Sequence, residues 1–144
     1  MAATHFTGPV VSTNGFQNGA SSVETVAAAD TLTSVDNGKT FILNAAAGAA
    51  VTLPAVASSA GWKAKFIVGA VFDTTSWTIV SAEGDNMEGA LMVASTVVTV
   101  DAADVLTFVN SAENIGDWVT VESDGTYWYV DGRALTTGGI TATG

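Results

Sequence analysis

At 144 residues with a formal net charge of −10, the chain has room for one compact core but not for two ordinary domains. Its four cations, Lys39, Lys63, Lys65 and Arg133, stand at scattered points of the sequence against 14 acids, too few to neutralise a run of phosphates, so neither nucleic acid nor an anionic membrane is expected as a partner. There is no Cys, which excludes disulfides and thiolate metal sites.

Residues 1–22, MAATHFTGPVVSTNGFQNGASS, are broken by Gly and Pro and nearly uncharged, and are expected to form an extended N-terminal arm. No basic segment followed by an apolar core opens the chain, so a secretory signal is not expected. From residue 23 to about 131, runs rich in β-branched residues recur at intervals of roughly 8 to 12 residues, the rhythm of a sandwich or barrel. Strands are expected at 23–26, 31–34, 40–43, 51–53, 63–71, 76–81, 90–94, 96–100, 105–109, 117–123 and 126–131, with turn signals such as DNGK, AEGD and SDGT between them. The stretch from Thr40 to Trp62 is uncharged, but its Ala, Gly and Ser content and Pro54 argue for two short strands around a turn and against a membrane span.

Alternation sorts several runs into faces. Trp77, Ile79 and Ser81 share one side of SWTIVS, while VLTFV is apolar on both sides and reads as interior to a sheet. No segment sustains a helical period. The last residues, 133–144 (RALTTGGITATG), are Gly- and Thr-rich and read as a second arm. The expectation is an all-β fold: one β-sandwich or barrel-like domain of short antiparallel strands, residues 23–132, between two arms. Ordering such arms costs about 1 to 2 kcal/mol per residue, so contacts with neighbouring chains are the expected means of holding them.

Catalytic groups are scarce. His5 is the single histidine, so neither a Ser-His-acid triad nor a multi-histidine metal site is available, and no GxSxG, P-loop or GxGxxG occurs. Glu83, Asp85 and Glu88 in SAEGDNMEG offer oxygen ligands for calcium, but their spacing matches no EF-hand and a solvated turn is the favoured reading. No cofactor and no enzyme activity are expected.

The run GDWVTVESDGTYWYVDG concentrates aromatic and acidic residues. Asp124-Gly125 predicts a two-residue type I′ hairpin turn that pairs Ser123 with Thr126, Val121 with Trp128 and Trp118 with Asp131. Val119, Val121, Trp128 and Val130 then form an apolar core face, and Trp118, Thr120, Glu122, Tyr127, Tyr129 and Asp131 the opposite one. In that register Glu122 and Asp131 lie on the order of 13 Å apart, beyond the reach of a glycosidase pair. The aromatic face suits a subunit interface, packing beneath a loop of the same chain, or a sugar platform.

Three stretches, HFTGPVVSTNGF, TLTSVDNGKTFILNAAAGAAVTLP and GDWVTVESDGTYWYVDG, give the chain a resemblance to small virion structural proteins of tailed bacteriophages: capsid decoration or head proteins and modules of tail fibres. The resemblance implies a non-enzymatic particle protein located on the capsid surface after folding in the host cytoplasm. Its partners would be the major capsid protein and sister subunits, with a trimer expected. Trp118, Tyr127 and Tyr129 of the hairpin, Phe6 and Phe16 of the first arm and Ile140 of the second are the expected interface residues. The alternative that the resemblance leaves open is a tail-associated module that binds carbohydrate or a receptor.

Overall fold

The computed structural model describes residues 22–82, 84 and 86–144. The strands follow one another as β1 (Val23–Val26), β2 (Asp30–Thr31), β3 (Thr40–Leu43), β4 (Ala50–Thr52), β5 (Lys63–Val68), β6 (Trp77–Val80), β7 (Met87–Val93), β8 (Thr96–Ala103), β9 (Val105–Phe108), β10 (Trp118–Ser123), β11 (Trp128–Ala134) and β12 (Ile140–Thr143). They form a seven-stranded sheet ordered β1-β3-β5-β10-β11-β7-β8 and a five-stranded sheet ordered β12-β9-β6-β4-β2. The fold is all-β and sandwich-like. Among the described residues both sheets keep free edges and no barrel closes.

In the first half the chain alternates between sheets, and each strand stacks in parallel on the one two places earlier. β1, β3 and β5 lie in register in the larger sheet, and β2, β4 and β6 in the smaller. Three short solenoid coils result, a departure from the antiparallel expectation, and β11 also runs parallel to β7. Stacking puts like on like: Val26, Leu43 and Val68 form one buried row, and the rings of Phe41 and Phe66 lie 5.2 Å apart at 16°. Glu24 holds the equivalent inward position of the first coil, where the Lys39 ammonium meets it at 2.8 Å. A charge in the inward row at an edge is one way to keep that edge from pairing further.

The inner faces share one apolar cluster, with Trp77, Ile79, Leu106 and Phe108 supplied by the smaller sheet and Phe66, Leu91, Val119 and Trp128 by the larger. The Trp77 indole N–H donates to the Ala45 carbonyl at 3.1 Å, and Trp62 meets Trp128 edge-on at 5.4 Å. β9 is interior, between β6 and β12, as its apolar faces suggest. At Gly89, where β7 bulges, φ is +145° and a Cβ would fall 2.1 Å from the Val130 carbonyl oxygen, so only glycine lets β7 and β11 approach. Outward positions of the five-stranded sheet are uncharged: Thr31, Thr52, Thr78, Thr107, Thr141 and Thr143 with Ala50, Val80 and Val105.

The expected C-terminal arm, 133–144, is not an arm. Arg133 and Ala134 complete β11, and 140–143 form β12, antiparallel to β9 with Ile140 opposite Phe108. The link is pinned by Asp117, 1% exposed, whose carboxylate accepts the amides of Leu135 at 3.0 Å and Asn114 at 2.8 Å. Ile140 is 1% exposed, and its side chain fills the core instead of an interface. The physical reason is that β9 would otherwise present an unpaired edge beside an open end of the core. The expected N-terminal arm, with Phe6 and Phe16, falls almost wholly outside the described residues. Replacing Ile140 by Ala is expected to cost about 2 to 5 kcal/mol of stability in urea denaturation, as for a buried aliphatic group. An interface residue on a free arm would leave the midpoint unmoved.

Candidate functional site

The aromatic hairpin is β10 and β11, and its turn differs from the expected one. Ser123 pairs with Trp128, Glu122 with Tyr129, Val121 with Val130, Thr120 with Asp131 and Trp118 with Arg133. The loop is therefore Asp124-Gly125-Thr126-Tyr127. The Asp124 carboxylate selects it, accepting the amides of Thr126 at 2.7 Å and Tyr127 at 2.9 Å, while Gly125 at φ +95° donates its amide to the Ser123 hydroxyl at 3.0 Å. These bonds replace those of a two-residue turn. The register shifts by two residues, which moves Thr126 and Tyr127 into the loop and leaves the side chains still paired on their expected faces because strands alternate with a period of two.

Val119, Val121, Trp128 and Val130 are accordingly buried. On the opposite face Trp118 is half-buried, and Tyr127 and Tyr129 are exposed with their rings 6.4 Å apart. The Tyr129 hydroxyl donates to Asp124 Oδ2 at 3.0 Å. The backbone amides of Tyr127 and Thr126 hold the Asp124 carboxyl below the usual carboxylate range, and the hydrogen bond to Asp124 raises the Tyr129 phenol.

Extended across the sheet, the register builds rows that the hairpin alone does not show. Thr25, Ile42, Ile67, Trp118, Arg133, Met92 and Val97 form one continuous outward row over all seven strands. It is largely apolar, with Met92 and Val97 exposed. The adjacent row contains Thr40, Lys65, Thr120, Asp131, Ala90 and Thr99, and the next contains Lys63, Glu122, Tyr129 and Glu88. Over β3, β5, β10 and β11 lies a concavity of about 440 Å³, lined by Lys63, Lys65, Thr120, Glu122, Tyr129 and Asp131 among others.

The fold thus collects cations that the sequence scatters. Lys63, Lys65 and Arg133 stand on this face, and Lys39 is on the rim of the concavity. Lys39 is bound to Glu24 at 2.8 Å and Asp36 at 2.7 Å, and hydrogen bonds to Asp36 and Glu24 raise its ammonium above the usual lysine range. Among the described residues, Lys63, Lys65 and Arg133 make no ion pair. The Lys65 ammonium lies 4.6 Å from the centre of the Trp118 ring, a cation–π contact.

Two further expectations change. Glu122 and Asp131 are diagonal neighbours across β10 and β11, about 7 to 8 Å between backbones instead of 13 Å, so distance no longer separates them from a hydrolytic pair. Both line the concavity and both are solvent-exposed, whereas an acid–base pair of that kind works in a cleft that excludes water. Of the proposed calcium ligands, Glu83 and Asp85 lie outside the described residues, and Glu88 accepts the Ala102 amide at 3.3 Å. Lys63, Lys65 and Ile67 had a local signal in the alternation of KAKFIV. Ile42, Met92 and Val97 join the site only through long-range register.

No family model matches the chain, and no curated protein or solved structure matches it.

Replacement of Asp124 by Asn tests the turn. The Tyr129 phenol, raised by the Asp124 carboxylate, is expected to titrate closer to the ordinary tyrosine value of 10.0 in the variant, read from tyrosinate absorbance. Because the Asp124 carboxyl is depressed in the folded chain, its contribution to stability is full above the ordinary carboxylate range and lost as pH falls through the depressed value. The variant should lack that acid limb.

Proposed function

We propose that this chain is a non-catalytic structural protein of a phage virion, a capsid decoration protein that docks on the major capsid lattice through the outer face of its seven-stranded sheet. The observation that carries this reading is the row from Thr25 to Val97, which lays Trp118, Ile42, Ile67 and Met92 across a broad open face beside uncommitted cations. Trp, Tyr and Arg in such a setting are the residues that dominate protein–protein binding. The resemblance of the three sequence stretches to small virion proteins supplies the partner. Docking that occurs only on the assembled shell stabilises the shell by mass action, with no bond made or broken. The chain would fold in the host cytoplasm and function on the particle surface.

A second reading, a tail-associated module that binds carbohydrate or a receptor, draws on the concavity. Its volume is that of a small-ligand site, and Tyr129 with Glu122, Asp131 and the two lysines offers a ring face and alternating donors and acceptors.

Immunogold labelling of purified particles separates the two: label over the head supports decoration, label at the tail tip supports the second reading, and unlabelled particles sink both. For the residues, Trp118→Ala with Tyr129→Ala is expected to reduce occupancy on shells by at least about tenfold at limiting protein, since hot-spot truncations cost about 2 kcal/mol or more. Full occupancy would remove this face from the interface.

A further inference from the structure

β10 is the fourth of seven strands, so the outer face has as many strands on one side of it as on the other. A two-fold axis running parallel to β10, just above it, would lay this face on the same face of a second copy. It would set β5 over β11, β3 over β7 and β1 over β8, with the rows kept level. The chemistry of the rows can therefore be checked position by position.

In the apolar row Trp118 meets Trp118 of the second copy, Ile42 meets Met92, and Thr25 meets Val97. Ile67 lies beneath the aliphatic stem of Arg133, whose guanidinium can extend past it. In the adjacent row Lys65 stands opposite Asp131 of the second copy, and by symmetry Asp131 stands opposite its Lys65. Thr120 faces itself. In the next row Tyr129, 48% exposed, is carried over Lys63, and both line the concavity. One like-charge contact remains, Glu122 against itself, at the hairpin end of the axis where solvent reaches it.

We propose that the outer face is self-complementary and that a second copy of this chain occupies it through a two-fold axis along β10. The proposal rests on the reading of this face as a protein-binding surface and names its occupant in free solution; docking on a shell would use the same face and would therefore compete with the dimer. The pair of Lys65 on β5 with Asp131 on β11, made twice by the two-fold, makes the match specific, since an axis over β5 or β11 would leave either Lys65 or Asp131 opposite itself. Seven strands about 4.8 Å apart, with rows spanning some 20 Å along them, offer on the order of 600 Å² per copy, at the low end of specific interfaces. The dimer is accordingly weak and concentration-dependent.

The test is sedimentation equilibrium of the full chain over a range of concentrations. The unmodified protein is expected to dimerise reversibly. Lys65→Asp and Asp131→Lys, each alone, place like charges together twice and should raise the dimer Kd by about a hundredfold. An equimolar mixture of the two variants should restore a dimer of one chain of each kind, as should the variant carrying both substitutions in one chain, which also controls for folding. A monomer at every concentration, a trimer, or a dimer indifferent to both substitutions overturns the proposal. If self-association fails while Trp118→Ala still strips the protein from shells, the face binds a different chain and the reading of it as a docking surface stands. If neither assay responds, that reading falls as well.

Discussion

The register of the seven-stranded sheet is anchored where Phe41 stacks on Phe66 in the core, and every outward row takes its position from that anchor. A slip of one residue between β3 and β5 would turn the buried side chains of one of the two strands out to solvent, either Phe41 and Leu43, or Phe66 and Val68 with Lys65 brought inward. The energy difference between those arrangements is large, because buried side chains, and in the second case an ammonium group, would exchange environments. The outward rows are thus fixed by residues that never touch solvent. This is why Ile42, Ile67 and Trp118, drawn from distant parts of the chain, stand in one line.

Charge follows the same logic at the sheet's edge. Glu24 occupies an inward position in the first coil that Phe41 and Phe66 fill in the next two, and it stays there because Lys39 meets it, with Asp36 binding the same ammonium. Lys39 is therefore committed to closing the coil. The remaining cations are free for the outer face, where Lys65 rests on Trp118. In a chain with a net charge of −10, this face carries the positive charge that local structure leaves unspent.

Much of this was legible locally. The strands from β1 to β11 have β-branched content, alternation and turn residues that mark them, and the core face of the hairpin follows from parity alone. β12 was missed because ITAT, embedded among Gly and Thr, looks like a tail until β9 is seen to need a partner. The hairpin register was missed because the Asp124 carboxylate caps a four-residue loop, a side-chain choice that outcompetes the usual reading of Asp-Gly. Parallel pairing of β1, β3 and β5 leaves no local signature, since each partner lies a full coil away. The gathering of Lys63 and Lys65 with Arg133 on one face was hidden because it depends on the long-range pairing of β5 with β10.

The two broad faces of the molecule are chemically unlike. One holds carboxylates, ammonium groups and aromatic rings, and the other is a lattice of threonine with alanine and valine. A body of this kind has a front and a back, so when the charged side is engaged, what it shows outward is a neutral, hydroxylated coat. Such a coat adds no charge of its own, so the long-range field on that side comes from the acids of the loops and edges around it, such as Asp73 and Asp101.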